Sequence, residues 1–320
     1  MANELGAKHW LGFRPQAAAS VEEGTVNRFL ATTEFSMNKN PKRIERKASL
    51  SSGRRRVNVA GSSMPEGKAT FEVMASQPQP WYWALGQATT SQPDATNAAS
   101  VYLHTVTDAD LPVRLTAEGY KVFQSAKQGD AYIDKIKLVG QAGEQAMCEM
   151  EWFALTHTEP ATLTSTTAFA GDILTMSNCA ITLGGASSLI IPSVEIEWDG
   201  MLEQVLAFNN SVNPARIRRK EYPKVTGKLK FIDFPTAELA KYLAATSFAL
   251  VVTLEGETIS GAYKQMLRVT LPVCQYTGGL DSPIGTEVIT GEADFEAYYS
   301  TADSHQIKVE AQNASSSIAI

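Results

Sequence analysis

Through much of the chain apolar and polar residues alternate one for one, the period of a strand with one buried face. Cys148-Glu149-Met150-Glu151-Trp152 and Val194-Glu195-Ile196-Glu197-Trp198 do so strictly, setting apolar side chains against carboxylates. Glu292-Ala293-Asp294-Phe295-Glu296-Ala297 repeats the arrangement. Further strand patterns are predicted over 29–37, 57–60, 67–74, 101–106, 111–117 and 133–139, then over 173–183, 248–254 and 267–273. A helical pattern occurs only twice. Pro78-Gln79-Pro80 opens a short helix over 81–85 that Gly86 stops, proline at the start and glycine at the end being the expected asymmetry. Pro235-Thr236-Ala237-Glu238 opens another, with Thr236 as cap, Leu239 and Leu243 on one face, and an end near Thr246.

Between these elements the polar stretch 89–100 reads as an exposed loop, and 49–53 and the Gly184-Gly185 pair read as turns. Residues 157–171, rich in Thr, Ser and Ala with Pro160, read as a linker. The aromatic His9-Trp10-Leu11-Gly12-Phe13 and the segment after it read as an N-terminal arm docked on the rest.

The order of elements occurs twice. Asn40-Pro41-Lys42-Arg43-Ile44-Glu45-Arg46-Lys47 returns as Asn213-Pro214-Ala215-Arg216-Ile217-Arg218-Arg219-Lys220, 173 positions later. Gly67-Lys68-Ala69-Thr70-Phe71 likewise returns as Gly227-Lys228-Leu229-Lys230-Phe231, with a proline-opened helix after each copy. Two copies are too few for a solenoid or propeller, so the pattern predicts two similar domains in tandem, 1–160 and 161–320. A length of 320 residues lets each bury its own core. Each half is strand-rich with one short helix, which predicts a mainly β chain of two homologous β-sandwich or partly closed barrel domains, each with a flanking α-helix. The first copy carries about 13 extra residues between Lys47 and Gly67.

Charge follows the repeat. Of 28 basic residues, 15 lie in 39–56 and 214–230 beside only Glu45 and Glu221, which leaves 13 basic against 32 acidic residues elsewhere. A basic repeat in an acidic protein points to nucleic-acid contact or to self-association of unlike surfaces. No apolar run approaches the ~20 residues that span a bilayer. The N-terminus lacks a basic start followed by an apolar stretch, so no signal peptide is expected and a cytoplasmic origin is.

Catalytic constellations do not emerge. His9, His104, His157 and His305 lie far apart with no ligand at metal spacing, and Cys148, Cys179 and Cys274 are scattered in apolar surroundings, so neither a metal nor a disulfide framework is expected. Gly184-Gly185-Ala186-Ser187 lacks the nucleophile-elbow order, and the lysines after Gly67 and Gly227 lack a phosphate loop before them. Alternating carboxylates read as solvated strand faces, and Trp81-Tyr82-Trp83 as the packing face of its helix. No cofactor is expected.

Taken together, the Leu11-Gly12-Phe13 arm, Asn-Pro-x-Arg-Ile in each half, the Gly-Lys-x-x-Phe strands, the proline-opened helix and the closing Phe295-Glu296-Ala297-Tyr298-Tyr299 resemble the two-domain major tail tube proteins of long, non-contractile-tailed bacteriophages. The resemblance covers about residues 11–299. It implies a non-enzymatic virion protein, assembled in a host bacterial cytoplasm into stacked rings that conduct DNA without binding it specifically. Tail tip and tail terminator proteins would be its other partners, with no membrane involved. Three chains would close a ring with six-fold pseudo-symmetry. The basic repeats, with Arg43, Ile44, Arg46, Arg54, Arg55, Arg216, Ile217, Arg218 and Arg219, are then expected at contacts between subunits or rings, because cations on a channel wall would retain a polyanion. Two other classes fit the pattern: a carbohydrate-binding or carbohydrate-cleaving β-sandwich of a tail or fibre, and a ring-forming secretion-tube or head-tail connecting relative.

Overall fold

In a computed structural model, residues 9–45, 58–122, 124–164, 171–188, 190–208, 211–233, 236–279 and 291–318 are described. The first half contains β1 (Trp10–Pro15), β2 (Arg28–Leu30), β3 (Thr32–Asn38), β4 (Pro41–Ile44), β5 (Val59–Ser63), β6 (Glu66–Glu72), α1 (Gln79–Leu85), β7 (Gly86–Ser91), β8 (Tyr102–Asp108), β9 (Leu115–Lys121), β10 (Gln124–Gln141), β11 (Met147–Phe153) and β12 (Thr156–Thr158). A 3-10 turn at Met176–Asn178 leads to β13 (Cys179–Leu183), β14 (Ala186–Ser188), β15 (Ser193–Asp199), β16 (Leu202–Val205), β17 (Arg216–Arg219), β18 (Lys224–Phe231), α2 (Thr236–Leu243), β19 (Phe248–Ser260), β20 (Tyr263–Gly278), β21 (Gly291–Tyr298) and β22 (Lys308–Asn313). The chain is mainly β with two short helices, as the alternation requires.

Eight strands form one antiparallel run in the order β3-β6-β11-β10-β15-β18-β21-β20. Over it lie β2-β1-β9-β10-β12 in the first half and β14-β13-β19-β20-β22-β8-β7 in the second. The pairings never return to their starting strand, so the sheet is open and folds on itself as a sandwich. The long strands β10 and β20 serve both layers. Each slips register where it changes layer, between Gln128 and Ala131 on β10 and between Leu271 and Cys274 on β20. Such bulges turn a strand through the corner of a sandwich, and Asp130 takes the left-handed φ of 48° that the first one needs.

The strand ladder repeats in register. β1–β2, β1–β9, β9–β10, β10–β11, β11–β6, β6–β3 and β4–β5 recur as β13–β14, β13–β19, β19–β20, β20–β21, β21–β18, β18–β15 and β16–β17. Gly67 faces Trp152 as Gly227 faces Phe295, a shift of 160 residues, whereas the octapeptide repeat has a shift of 173. Its first copy therefore lies on β4, the first strand of its hairpin, and its second on β17, the last strand of the equivalent hairpin. Only the Gly-Lys-x-x-Phe match is in structural register.

The apolar positions of the alternating strands form a continuous core, with Trp83, Trp152, Trp198, Phe13, Phe231 and Phe295 all under 2 % exposed. α1 runs as the prolines and Gly86 dictate: Pro80 sits in its first turn, and Gly86, at φ 93°, donates its N–H to the Tyr82 carbonyl. Trp81 and Trp83 are buried, and Trp83 packs on Phe13 at 5.1 Å between rings, so the aromatic triplet serves the core. α2 keeps only Leu239 and Tyr242 against the core and buries no residue fully. The difference follows from β7 and β8, which cover α1, β8 pairing with β7 on one side and β22 on the other, and which have no counterpart among the described residues of the second half.

Three expectations are corrected. The N-terminal segment is not a docked arm but the central strand β1, held between β2 and β9 with Leu11 and Phe13 wholly buried. The expected loop over 89–100 begins inside β7, whose Thr-rich run pairs with β8 although its side chains are largely exposed. The expected linker starts as β12, paired with β10, and residues 165–170 of it lie outside the described residues.

Candidate functional site

The eight-stranded run has one apolar face against the core and one polar face. On the polar face Lys68, Lys135, Lys137, Lys224, Lys228 and Lys230 alternate across strands with Glu34, Glu149, Glu151, Glu195, Glu197, Asp199, Glu292, Asp294 and Glu296. Carboxylates outnumber cations, and every cation among these is a lysine. The face is concave: a 470 Å³ hollow is lined by Glu34, Lys68, Lys135, Lys137, Glu149, Glu151 and Glu197.

The strand registers place these charges opposite one another, and three of the lysines, Lys135, Lys137 and Lys228, are held by carboxylates of the face. Lys135 lies 2.7 Å from Asp199 and 3.7 Å from Glu197, and Lys137 lies 2.8 Å from Glu195. Lys228 bonds Glu292 and sits 3.6 Å from Asp294. The hydrogen bond to Asp199 raises the Lys135 pKa. Partial burial opposes the same effect at Lys137, but the hydrogen bond to Glu195 and the surrounding carboxylates prevail and raise it. The bond to Glu292 and the Asp294 charge raise Lys228 likewise. The Lys135 and Lys137 pairs are half-exposed, so each contributes only about 0–1 kcal/mol to stability, and the Lys228 pair is open to solvent. Their effect is on the surface: it presents a net negative field in which Lys135, Lys137 and Lys228 are engaged by carboxylates.

At one end of this face Asp134 is buried where β10 meets the second half. Its Oδ1 accepts the Leu202 N–H at 2.7 Å, and its carbonyl accepts the Gly200 N–H. Desolvation outweighs that bond and, with Asp199 and Glu151 nearby, pushes its pKa up to about 6.

The register also places the basic hairpins. β3 ends at Asn38 opposite Glu66, β15 ends at Asp199 opposite Lys224, and hairpins β4–β5 and β16–β17 both leave the sheet from that same end. They touch: the Ser63 N–H donates to the Val212 carbonyl at 2.7 Å, and the Ser63 hydroxyl donates to Asn213 Oδ1 at 2.9 Å. The structure thus brings Arg43 and Ile44 of β4 together with Arg216, Ile217, Arg218 and Arg219 of β17 on one projecting surface. Arg43, Ile44, Arg216 and Arg218 are exposed; Ile217 and Arg219 are half-buried. Arg46, Arg54 and Arg55, and most of the extra loop, lie outside the described residues.

Arg218 is paired with Glu203 at 2.7 Å. Arg219 is not so satisfied: its Nε and Nη2 are shielded from solvent and lack a hydrogen-bond partner among the described residues. Burial lowers its pKa against the pull of Asp108 and Asp110. It forms part of a cleft of about 1110 Å³ with Asp108, Asp110, Tyr222, Tyr298 and Tyr299. Sequence reading found the basic hairpins but missed this cleft, because Asp108 and Asp110 reach it only through β8, which has no repeat to mark it.

Among the described residues no three His, Cys, Asp or Glu side chains group as metal ligands, and no helix is long and apolar enough to cross a membrane. His104 is buried between Thr90 and Asn313, a structural position. Gly184 and Gly185, at φ 57° and 85°, form the tight turn of hairpin β13–β14.

In comparison with known families, residues 6–297 match a family model described as phage tail tube protein. No curated protein matches the chain.

Proposed function

Because the chain belongs to the phage tail tube protein family, a family of structural virion proteins that build a multi-subunit tube, we propose that three copies close a ring and that rings stack into a conduit for DNA. The observation that carries this reading is the junction of the two halves. β10 of the first half and β15 of the second pair over seven residues, from Lys135 opposite Asp199 to Gln141 opposite Ser193, and fuse two four-stranded sheets into one. The strand equivalent to β15 in the first half is β3, whose outer edge is unpaired among the described strands. The strand equivalent to β10 in the second half is β20, which ends at Gly278, the counterpart of Lys135 where the internal junction begins; residues 280–290 lie outside the described residues. Repeating the internal junction between chains would set the end of the second half's sheet beyond β21 against the free edge of β3 in the next copy, with the same rotation.

Strand count supports three copies. At ~4.8 Å between strands and ~40° tilt, ~24 strands from three chains enclose a backbone circle about 48 Å across, and six chains one twice as wide. The smaller circle, less two layers of side chains, suits a DNA duplex; the larger leaves the channel mostly empty. The halves 1–160 and 161–320 are then equivalent tube units, and the polar concave face is the wall. A wall on which carboxylates outnumber lysines and engage three of them offers a passing polyanion few cations to neutralise, so DNA gains little from counterion release and slides. No catalytic step is assigned. Assembly takes place in the host cytoplasm, with tail tip and terminator proteins closing the ends.

Electron cryomicroscopy of purified protein assembled at high concentration tests this reading. Three chains per ring with the lysine and carboxylate face inward are expected. Six chains, or a lumen lined by another face, overturn it, and specific sugar binding without rings moves the fibre reading to first place.

A further inference from the structure

The segment that leads into the second half does not stay with the half it opens. β13 is the counterpart of β1, with Ile181 and Leu183 in the inward places of Leu11 and Phe13. The residues just before it cross the junction and wedge between two elements of the first half. The Leu174 N–H donates to the Val73 carbonyl at 2.8 Å, the Leu174 carbonyl accepts the Ala146 N–H at 3.1 Å, and the Met176 N–H donates to the Glu144 carbonyl at 2.8 Å. Isolated bridges pair Ile173 with Met74 and Thr175 with Gln145. Leu174 is wholly buried, and Met176 is buried over Gly140 of β10, where a Cβ would leave it no room. One half is thus latched to the other by a short segment that makes main-chain bonds on both its edges and fills the core of its neighbour.

The counterpart of this segment, 172–178, is 2–8, by the offset of 170 positions that relates Leu11 to Ile181. Residues 1–8 lie outside the described residues, but the point from which they depart is fixed. His9 sits against β3, its Nε2 donating to the Thr32 carbonyl at 3.0 Å and its ring lying 6.0 Å from that of Phe35. β3 is the edge at which the eight-stranded run ends. The place equivalent to the receiving main chain also exists. Glu72 and Val73 correspond to Ile232 and Asp233, by the offset that relates Gly67 to Gly227. Val73, bonded by the crossing segment, is buried. Asp233 is exposed, with no hydrogen-bond partner among the described residues, and Ile232 beside it is 50 % exposed.

Resting on the ring reading, we propose that residues 2–8 of each copy cross to the neighbouring copy of the same ring and dock beside Ile232 and Asp233, at the end of β18. The occupant is this segment for three reasons. It departs from the edge strand that the ring reading sets against the neighbour, it has the length of the internal crossing, and its receiving main chain holds the place of the one that 172–178 occupies. Leu5 falls within one position of the counterpart of Leu174 and supplies the apolar side chain that covers Ile232. Each copy gives its segment to one neighbour and receives that of the other, a heterologous contact that closes with the ring. The latch lies within a ring, so stacking of rings does not depend on it.

Disulfide trapping in the full-length protein tests the assignment. Leu5→Cys and Asp233→Cys are combined with Cys179→Ala, because the other native cysteines, Cys148 and Cys274, are buried. Mild oxidation of assembled protein is expected to give a non-reducing ladder that ends at three chains. Rings that yield no disulfide, a disulfide within one chain, or a ladder that runs past six chains into linked rings each overturn the proposal and leave the ring reading standing. A ladder that closes at six keeps the crossing and overturns the three-copy reading. Wild-type protein that forms no rings overturns both. Deletion of residues 2–8 is expected to keep the native circular dichroism spectrum while raising the concentration needed for rings at least tenfold by sedimentation; rings at the wild-type concentration overturn the proposal. If the paired-cysteine chain does not fold, copies carrying Leu5→Cys alone and Asp233→Cys alone are mixed. Disulfide-linked pairs made only in the mixture then support the crossing, and their absence overturns it.

Discussion

The two halves hold the same ladder with different interiors. In the second half Gly227 lies under the Phe295 ring, and Phe295 shares the core with Leu271. In the first, Gly67 lies under the Trp152 indole, whose Nε1 donates to Gln128 Oε1 at 2.7 Å. Gln128 occupies on β10 the position of Leu271 on β20, opposite Ala117 as Leu271 is opposite Leu250. One step along, Lys127 faces Glu118 and pairs with it at 3.2 Å, where Thr270 faces Val251. An indole brings a donor that must be met, and a phenyl ring does not. The comparison teaches that the ladder sets the architecture, while the interior can change chemistry if both members of a pair change together.

The glycines are what the halves share, so they are where both should break hardest. A Cβ on Gly67 would stand 2.1 Å from the Trp152 ring, and one on Gly227 2.3 Å from both the Phe295 ring and the Glu195 carbonyl oxygen. Gly67→Ala and Gly227→Ala are each expected to cost at least about 3 kcal/mol in denaturant unfolding. The Gly227 change should cost more, because a main-chain carbonyl cannot move aside. Equal, small losses would show that the shared register matters less than the aromatic lids.

A second test exchanges the interiors. Gln128→Leu orphans the indole N–H, and Trp152→Phe orphans the amide oxygen, so each should lose about 1–3 kcal/mol. The double change should recover the part of the loss due to the indole and amide oxygen, giving a coupling energy of about 1 kcal/mol in a double-mutant cycle, while the Gln128 Nε2 bond to the Glu66 carbonyl stays lost. Additive losses would mean that the two halves are not interchangeable at this position.

The smallest effect concerns the junction. Asp134 has a folded pKa of about 6, raised above the usual carboxylate value by burial. Its native state therefore holds the proton more tightly than the unfolded chain, and stability should fall as pH rises from about 4 to 6 and then level. Asp134→Asn keeps an acceptor for the Leu202 N–H. It should remove that fall and raise stability at pH 7 by about 1–2 kcal/mol. Thermal melts from pH 4 to 8 measure the difference, and an unchanged pH profile would exclude the carboxylate as its source.

Strict alternation made the inner strands β11, β15 and β21 legible, because one face is core and the other charged. Pro80 and Gly86 made α1 legible for equally local reasons. What the sequence hid is what pairing over distance decides. β1 looked like an arm because its position between β2 and β9 depends on residues about 100 positions away. The octapeptide repeat was real as a match and misplaced as an alignment, since two similar basic strands can occupy opposite sides of one hairpin. For the functional surface, charge clustering picked out Arg43 and Arg216, but their contiguity rests on the Ser63 bonds to Val212 and Asn213, which join segments 150 residues apart. The alternating carboxylates were read as a solvated face. Their cross-strand partners Lys135, Lys137 and Lys228 could not be assigned before the register was known.

The layer-changing bulges of β10 and β20 have a mechanical corollary. Each long strand is covalently continuous from one sheet of the sandwich to the other, so a pull on one sheet is transmitted along a backbone into the ladders of the other. Detaching either sheet would require shearing many parallel hydrogen bonds at once, which resists force far better than opening them one by one. Strain is thereby shared between the two sheets, and it passes through two corners, at Asp130 on β10 and between Leu271 and Cys274 on β20.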